Sequence, residues 1–270
     1  MRTLPRRPGL RSDTQKRLQR QTDAIVASSD PQKAAEKRYT NARKSRWFGE
    51  VLSKLRTMAG PGEPCMLCDA NESTDIEHYR PKSIYPTLAL TWENLLWACT
   101  ACNRFKGDRF PPDTELGSQI LNPVDDSVWD YFFIDQFGTL TPVWQPIMNA
   151  FDPRALSTRD VLRLDRETLQ ERRLQRLRSL RKSVEDTVAR YRSGQITREE
   201  VRDRIKQWKM EPFQADVADY FLNGPGTKEE PFVTLWSLVS PRIRGLRPLL
   251  LSSPPWRRSV RRWKAWGSGS

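Results

Sequence analysis

The sequence has a single histidine, His78, and only four cysteines. No apolar run approaches the ~20 residues that a membrane-spanning helix requires, so no membrane span is expected. Residues 1–21 are basic but lack an apolar h-region, which argues against a secretory signal and leads to the expectation of a cytoplasmic protein. Thiols in that compartment stay reduced, and the cysteines are therefore expected as metal ligands rather than disulfides. Hydrophobic residues make up only 37% of the 270, low for a wholly globular chain, so a polar tail is expected. No internal repeat is present. From residue 241 onward there is no acidic residue at all.

What is abundant is positive charge. The formal net charge is +13, and +8 of it comes from Arg242, Arg244, Arg247, Arg257, Arg258, Arg261, Arg262 and Lys264 near the end of the chain. Concentrated charge of this kind favours polyanionic partners by long-range attraction and behaves as a basic arm; it carries no information about fold.

Four zones follow from pattern. Residues 1–62 form a basic N-terminal segment with a helical stretch over 31–58, where Trp47, Val51, Leu52 and Leu55 share a face and Gly60-Pro61-Gly62 stops the run. Residues 63–123 hold all four cysteines and the histidine and read as short strands and loops followed by a helix from about Thr100. Residues 124–224 begin rich in Trp, Phe and Tyr, with a hairpin expected at Phe137-Gly138-Thr139. They then turn helical along Leu169, Leu174, Leu177, Leu180, Val184 and Val188, with Gly194 as a stop. Thr197 and Glu200 fit a capping box for a further helix over 198–210. Residues 225–270 form a tail rich in proline and arginine.

The cysteines lie in two identical pairs, Cys65-Met66-Leu67-Cys68 and Cys99-Thr100-Ala101-Cys102. A two-residue gap lets both sulfurs of a pair reach one ion from a tight turn, and two pairs complete a tetrahedral shell of four thiolates. No position is left open for substrate, so the expected Zn²⁺ is structural. Four unrelated buried cysteines would not repeat one spacing, and a redox pair would need one such motif, not two. The separation between the pairs is longer than in a simple zinc ribbon, and the insert holds His78.

The insert reads Asp75-Ile76-Glu77-His78-Tyr79-Arg80-Pro81-Lys82. Hydrolysis of a phosphodiester needs a base to activate water and a divalent cation to hold the phosphate and stabilise the leaving oxygen. An imidazole can serve as the first, and Glu77, Asp75 and Asn103 offer oxygen ligands suited to a hard cation such as Mg²⁺ or Mn²⁺. In a strand, Glu77 and His78 would point to opposite faces, so they converge only where the strand ends.

Cys-x-x-Cys, Glu-His-x-x-Pro, Asn-Leu and Cys-x-x-Cys-Asn-x-x-Lys, in that order over residues 65–106, resemble the HNH endonuclease motif in its zinc-knuckle form. The resemblance implies a ββα-metal core, two strands and a helix around one divalent ion, and hence an α+β, mostly helical chain in which that core and its four-cysteine zinc site are flanked by helical regions. It implies that His78 is the general base and Glu77 a metal ligand. Asn94 would brace the loop and orient His78, and Asn103 would be a second metal ligand. The family usually has histidine at the last position, and the amide here is a weaker ligand. Asp75 stands as a further candidate ligand. The longer stretches from Glu77 to Ser83, Trp92 to Cys99 and Cys102 to Pro111, with Leu121-Asn122-Pro123, are similar to the HNH subfamily of retron- and Septu-type anti-phage systems, which implies a defence role beside an ATPase partner.

Around this centre Lys106, three residues from Asn103 on one helix face, and Arg80 are expected to contact phosphate. Trp92 and Trp97 are expected in the core. The expected activity is a metal-dependent endonuclease acting on nucleic acid, DNA by family analogy. The competing reading is a zinc-stapled module that binds nucleic acid or assembles with a partner and does no chemistry. Such a module needs the cysteines and the cations but not Glu77, His78, Asn94 and Asn103 together.

Overall fold

Two antiparallel strands, β1 (Asp75–His78) and β2 (Leu95–Ala98), lie at the centre, paired in the register Asp75↔Ala98 to His78↔Leu95. The structure is a computed structural model and describes residues 1–114, 118–211, 213 and 215–239. β2 is buried along its whole length, which accounts for its unbroken apolar sequence Leu95-Leu96-Trp97-Ala98. The first cysteine pair continues this sheet: Met66 N–H donates to the Trp97 carbonyl at 2.9 Å and Thr74 N–H to that of Ala98 at 3.1 Å.

Three helices precede the sheet. α1 (Ser12–Val26) buries Thr14, Leu18 and Ile25. α2 (Pro31–Lys44) starts with Pro31 at its first position and with the Asp30 side chain accepting from Lys33 N–H, and it buries Ala35, Tyr39 and Ala42 on one face. α3 (Gly49–Ala59) buries Val51, Leu55 and Met58 and ends at Gly60, whose φ of 95° continues no helix. The single helical stretch expected over 31–58 is thus two helices, broken at Ser45 by extended backbone and a short 3₁₀ turn. The start of the chain is helical as well, which its Arg- and Pro-rich composition did not suggest.

After the sheet comes α4 (Thr100–Lys106), which begins at Cys99 and stops at Gly107. The aromatic zone forms two small hairpins, β3 (Phe132–Ile134) with β4 (Leu140–Pro142), and β5 (Trp144–Gln145) with β6 (Ala150–Phe151). The first turns at the expected Phe137-Gly138-Thr139. The helical part contains α5 (Pro153–Leu162), α6 (Glu167–Arg192), α7 (Arg198–Met210), α8 (Ala215–Leu222) and α9 (Phe232–Val239). The capping box at Thr197 and Glu200 is formed in both directions. On α6, Leu174 is only partly covered, and Arg173 takes a fully buried place in the stripe.

The chain is mostly helical with a small sheet core, as an α+β HNH architecture requires. The helical part is tied directly to the cysteine loop. Arg172 Nη1 donates to the Ala70 carbonyl at 3.0 Å, and Asp69, next to Cys68, accepts from Asp216 N–H at 2.6 Å. Among the described residues no helix is long and apolar enough to cross a membrane. The basic tail expected over 225–270 lies outside the described residues from 240 onward.

Candidate active site and metal centre

The four cysteine sulfurs meet at one point. They are buried, their ligand atoms lie within 4.8 Å of one another, and none is in a disulfide. Sequence spacing places each pair in a turn, and the β1–β2 pairing brings the two turns together. Cys99 caps α4, its sulfur facing Cys102 N–H at 3.5 Å, and Asn71 Nδ2 approaches the same sulfur at 3.7 Å. Arg166 Nη2 stands 3.8 Å from the Cys102 sulfur. Donors aimed at sulfur are the surroundings that thiolates require. Hydrogen bonds from Cys102 and Cys65 pull the Cys68 thiol down to about 6, whereas burial pushes that of Cys65 well up. Four buried, closely set, partly ionised sulfurs fit a metal ion with a closed shell.

Beside this centre lies an open cleft of about 610 Å³ whose wall includes Asp75, Glu77 and His78 from β1, Asn103 from α4, and Glu36, Tyr39 and Arg43 from α2. β1 ends at His78, and the end of the strand lets Glu77 and His78 reach one cleft despite their alternation.

His78 is buried, and its Nε2 lies 2.9 Å from the Ala89 carbonyl. A carbonyl only accepts, so Nε2 carries the proton and Nδ1 keeps its lone pair. Burial, with Lys82 and Lys106 nearby, holds the imidazole down at about 4, so it is neutral near pH 7. The ring of Tyr39 meets that of His78 edge-on at 4.6 Å and 65°.

Asn94 does not line the cleft; it fixes the loop behind it. Its Nδ2 donates to the carbonyls of Arg80 and Leu88, both at 3.0 Å, and its Oδ1 accepts from Arg80 N–H at 2.8 Å. Leu88 directly precedes Ala89, so Asn94 holds the segment that holds His78. That is the bracing role expected of it, exerted through the backbone.

Glu77 and Asp75 are each paired with a cation. Glu77 Oε1 lies 2.9 Å from Lys106 Nζ, and Asp75 Oδ1 lies 2.7 Å from Arg43 Nη2. Burial raises the Glu77 carboxyl against the pull of Lys106. Asn103 borders the cleft with no side-chain hydrogen bond among the described residues.

Two expectations need correction. Lys106 is not a surface cation facing phosphate. It is 2% exposed, and its ammonium bonds both Glu77 and, at 2.7 Å, the His78 carbonyl. The three-residue spacing from Asn103 placed it on the correct helix turn, but the apolar cost of burying Lys106 is met by Glu77, which sequence spacing does not reveal. Arg80 also points away from the cleft, to Asp113 at 2.7 Å, and lies over the rings of Tyr85 and Phe110. The cations that do border the cleft are Arg43, Lys44 and Lys82. Lys82 is paired with Glu36. Tyr39 and Arg43 were not foreseen; the spacing of Ala35, Tyr39 and Ala42 indicates a buried helix face but not what it faces.

Residues 65–109 match the HNH endonuclease family. They form an HNH domain. The matched HNH segment contains both cysteine pairs, β1, β2 and α4, and it ends before the helical part begins. The chain is also similar to the Septu protein PtuB of Bacillus thuringiensis, 31% identical over 85 residues, which are 30% of this chain and 32% of that protein. The similarity therefore spans about a third of the relative's length. α2, which walls the HNH cleft, lies outside the family match.

Proposed function

We propose that the chain is a metal-dependent HNH endonuclease that hydrolyses phosphodiester bonds of nucleic acid, with DNA as its substrate. The observation that carries this reading is His78: a neutral imidazole in one fixed tautomer, set in a cleft with two carboxylates and an amide beside a four-cysteine centre. His78 Nδ1 accepts the proton of the attacking water, and the Ala89 carbonyl steadies the imidazolium that results. Asn94 keeps that carbonyl in place. Zn²⁺ in the cysteine cluster is structural. The oxygen donors of Glu77, Asp75 and Asn103 fit a hard cation such as Mg²⁺ or Mn²⁺, which would supply charge stabilisation at the phosphate and the leaving oxygen. Glu77 takes that part by exchanging Lys106 for the cation.

Similarity to PtuB supports an anti-phage role as part of a Septu-type system, in which a partner ATPase controls the nuclease. A second reading is favoured by the ion pairs of Glu77 and Asp75, which already satisfy both carboxylates: a zinc-stapled module that binds nucleic acid or assembles with a partner, without chemistry. Plasmid DNA is incubated with Mg²⁺ or Mn²⁺ and wild type, His78→Ala or wild type with EDTA. Cutting by wild type alone supports the nuclease. Cutting that survives His78→Ala sinks the mechanism, and binding without cutting, with RNA and with the ATPase present, leaves the second reading.

A further inference from the structure

α2 contributes a residue with an unusual environment. Tyr39 is 5% exposed and borders the cleft, and its hydroxyl has no hydrogen-bond partner. Buried hydroxyls are rarely left so, because an unpaired one costs roughly 1–3 kcal/mol. The ring has a clear packing role against His78 and, at 6.4 Å, against Phe48. Packing explains the ring and leaves the hydroxyl unexplained, since phenylalanine would pack the same face without the cost.

The surroundings indicate what the hydroxyl is for. Burial pushes the phenol well above its usual range. Asp75 and Glu77 push it further and Arg43 pulls against them, so the hydroxyl sits among the two carboxylates and the guanidinium of the cleft. Arg43 is 44% exposed at its side chain and has its guanidinium carbon 5.8 Å from the Tyr39 ring. Its one ion pair, with Asp75, leaves further donors on the planar fork. The phenol remains a donor throughout the working pH range. A donor and a guanidinium beside a general base and metal-binding carboxylates suit one ligand chemistry, the non-bridging oxygen of a phosphodiester.

We propose that Tyr39 is a substrate-binding residue whose hydroxyl donates to a non-bridging oxygen of the scissile phosphate, with the Arg43 guanidinium beside it. The proposal rests on the reading of the cleft as a phosphodiesterase site. It extends that site beyond the ββ and α elements of the HNH segment to a helix that precedes it.

The test is Tyr39→Phe in the full chain, which keeps the ring on His78 and removes only the hydroxyl. Cleavage of a DNA duplex should fall about tenfold or more in kcat/KM, the loss of one hydrogen bond to a charged group. The melting temperature should stay level or rise, because an unpaired buried hydroxyl has been removed. Wild-type cleavage by Tyr39→Phe overturns the proposal, and so does a lowered melting temperature, which would assign the hydroxyl to the fold. If wild type cuts nothing, the nuclease reading fails separately. The inference is then decided by binding of a fluorescein-labelled DNA duplex to His78→Ala with and without Tyr39→Phe: weaker binding by the double variant supports it, and equal affinity overturns it.

Discussion

His78 owes its function to a cost. Keeping an imidazole neutral inside the protein, down at about 4, supplies a base near pH 7 but disfavours protonation of the folded state. The unfolded chain would bind that proton near pH 6.5. The sign follows from linkage: above pH 6.5 neither state is protonated and the fold is unaffected, and as pH falls from 6.5 toward 4 the unfolded state alone takes up the proton, so stability is lost. The expected outcome is that wild type loses stability over this window by about 1.4 kcal/mol per pH unit more than His78→Gln. Urea unfolding of the two proteins at pH 7, 6 and 5 measures it; parallel loss in both would place the acid sensitivity in the cysteine centre instead. At the same scale, His78→Ala should remove cleavage while leaving the metal content of the cysteine centre intact, because His78 contributes nothing to that shell.

The cysteine loops, β1, β2 and α4 form one unit, because each cysteine pair sits where the sheet begins or ends. Cys65→Ser or Cys102→Ser should therefore lose metal and unfold this unit, since binding free energy there is folding free energy. Near-UV circular dichroism with metal analysis reads both, in contrast to His78→Ala. A second element test concerns the β3–β4 turn. Gly138 has φ +79°, and a Cβ there would come within 2.6 Å of the Leu174 backbone nitrogen on α6. Gly138→Ala should cost about 1–3 kcal/mol by overpacking and strain, seen as a lowered urea midpoint. Sequence pattern reached these elements unevenly. The paired cysteines, the start of α4 near Thr100, the Thr197 capping box and the turn at Gly138 were legible because each depends on residues within a few positions. The burial of Lys106 on Glu77, the aim of Arg80 at Asp113 and the placement of Tyr39 on His78 were not. Each joins residues at least 29 positions apart through packing that local spacing does not encode.

Across the whole molecule the HNH segment is held to the helical part by charge buried between them. Arg173 Nε meets Asp216 Oδ2 at 2.9 Å with both side chains almost fully buried, and Asp216 N–H donates to Asp69, which Arg2 also contacts at 3.0 Å. The apolar stripe of α6 gave no sign of this, because Arg173 occupies a core position that its residue type would be expected to avoid. Removing one member of such a pair leaves the other charge buried and uncompensated, a loss of about 3–5 kcal/mol. Asp216→Ala should therefore destabilise far more than Asp126→Ala, whose partner Arg154 is 20% exposed at its side chain. Because Asp69 follows Cys68 directly, the damage should not stop at the helices. Chemical unfolding followed at once by tryptophan fluorescence and by metal release should show Asp216→Ala losing both at a lower denaturant concentration, in a single transition. Two separated transitions, with metal retained after the helices unfold, would mean that the HNH segment is stable without the rest of the chain and that the buried pair joins two independent parts.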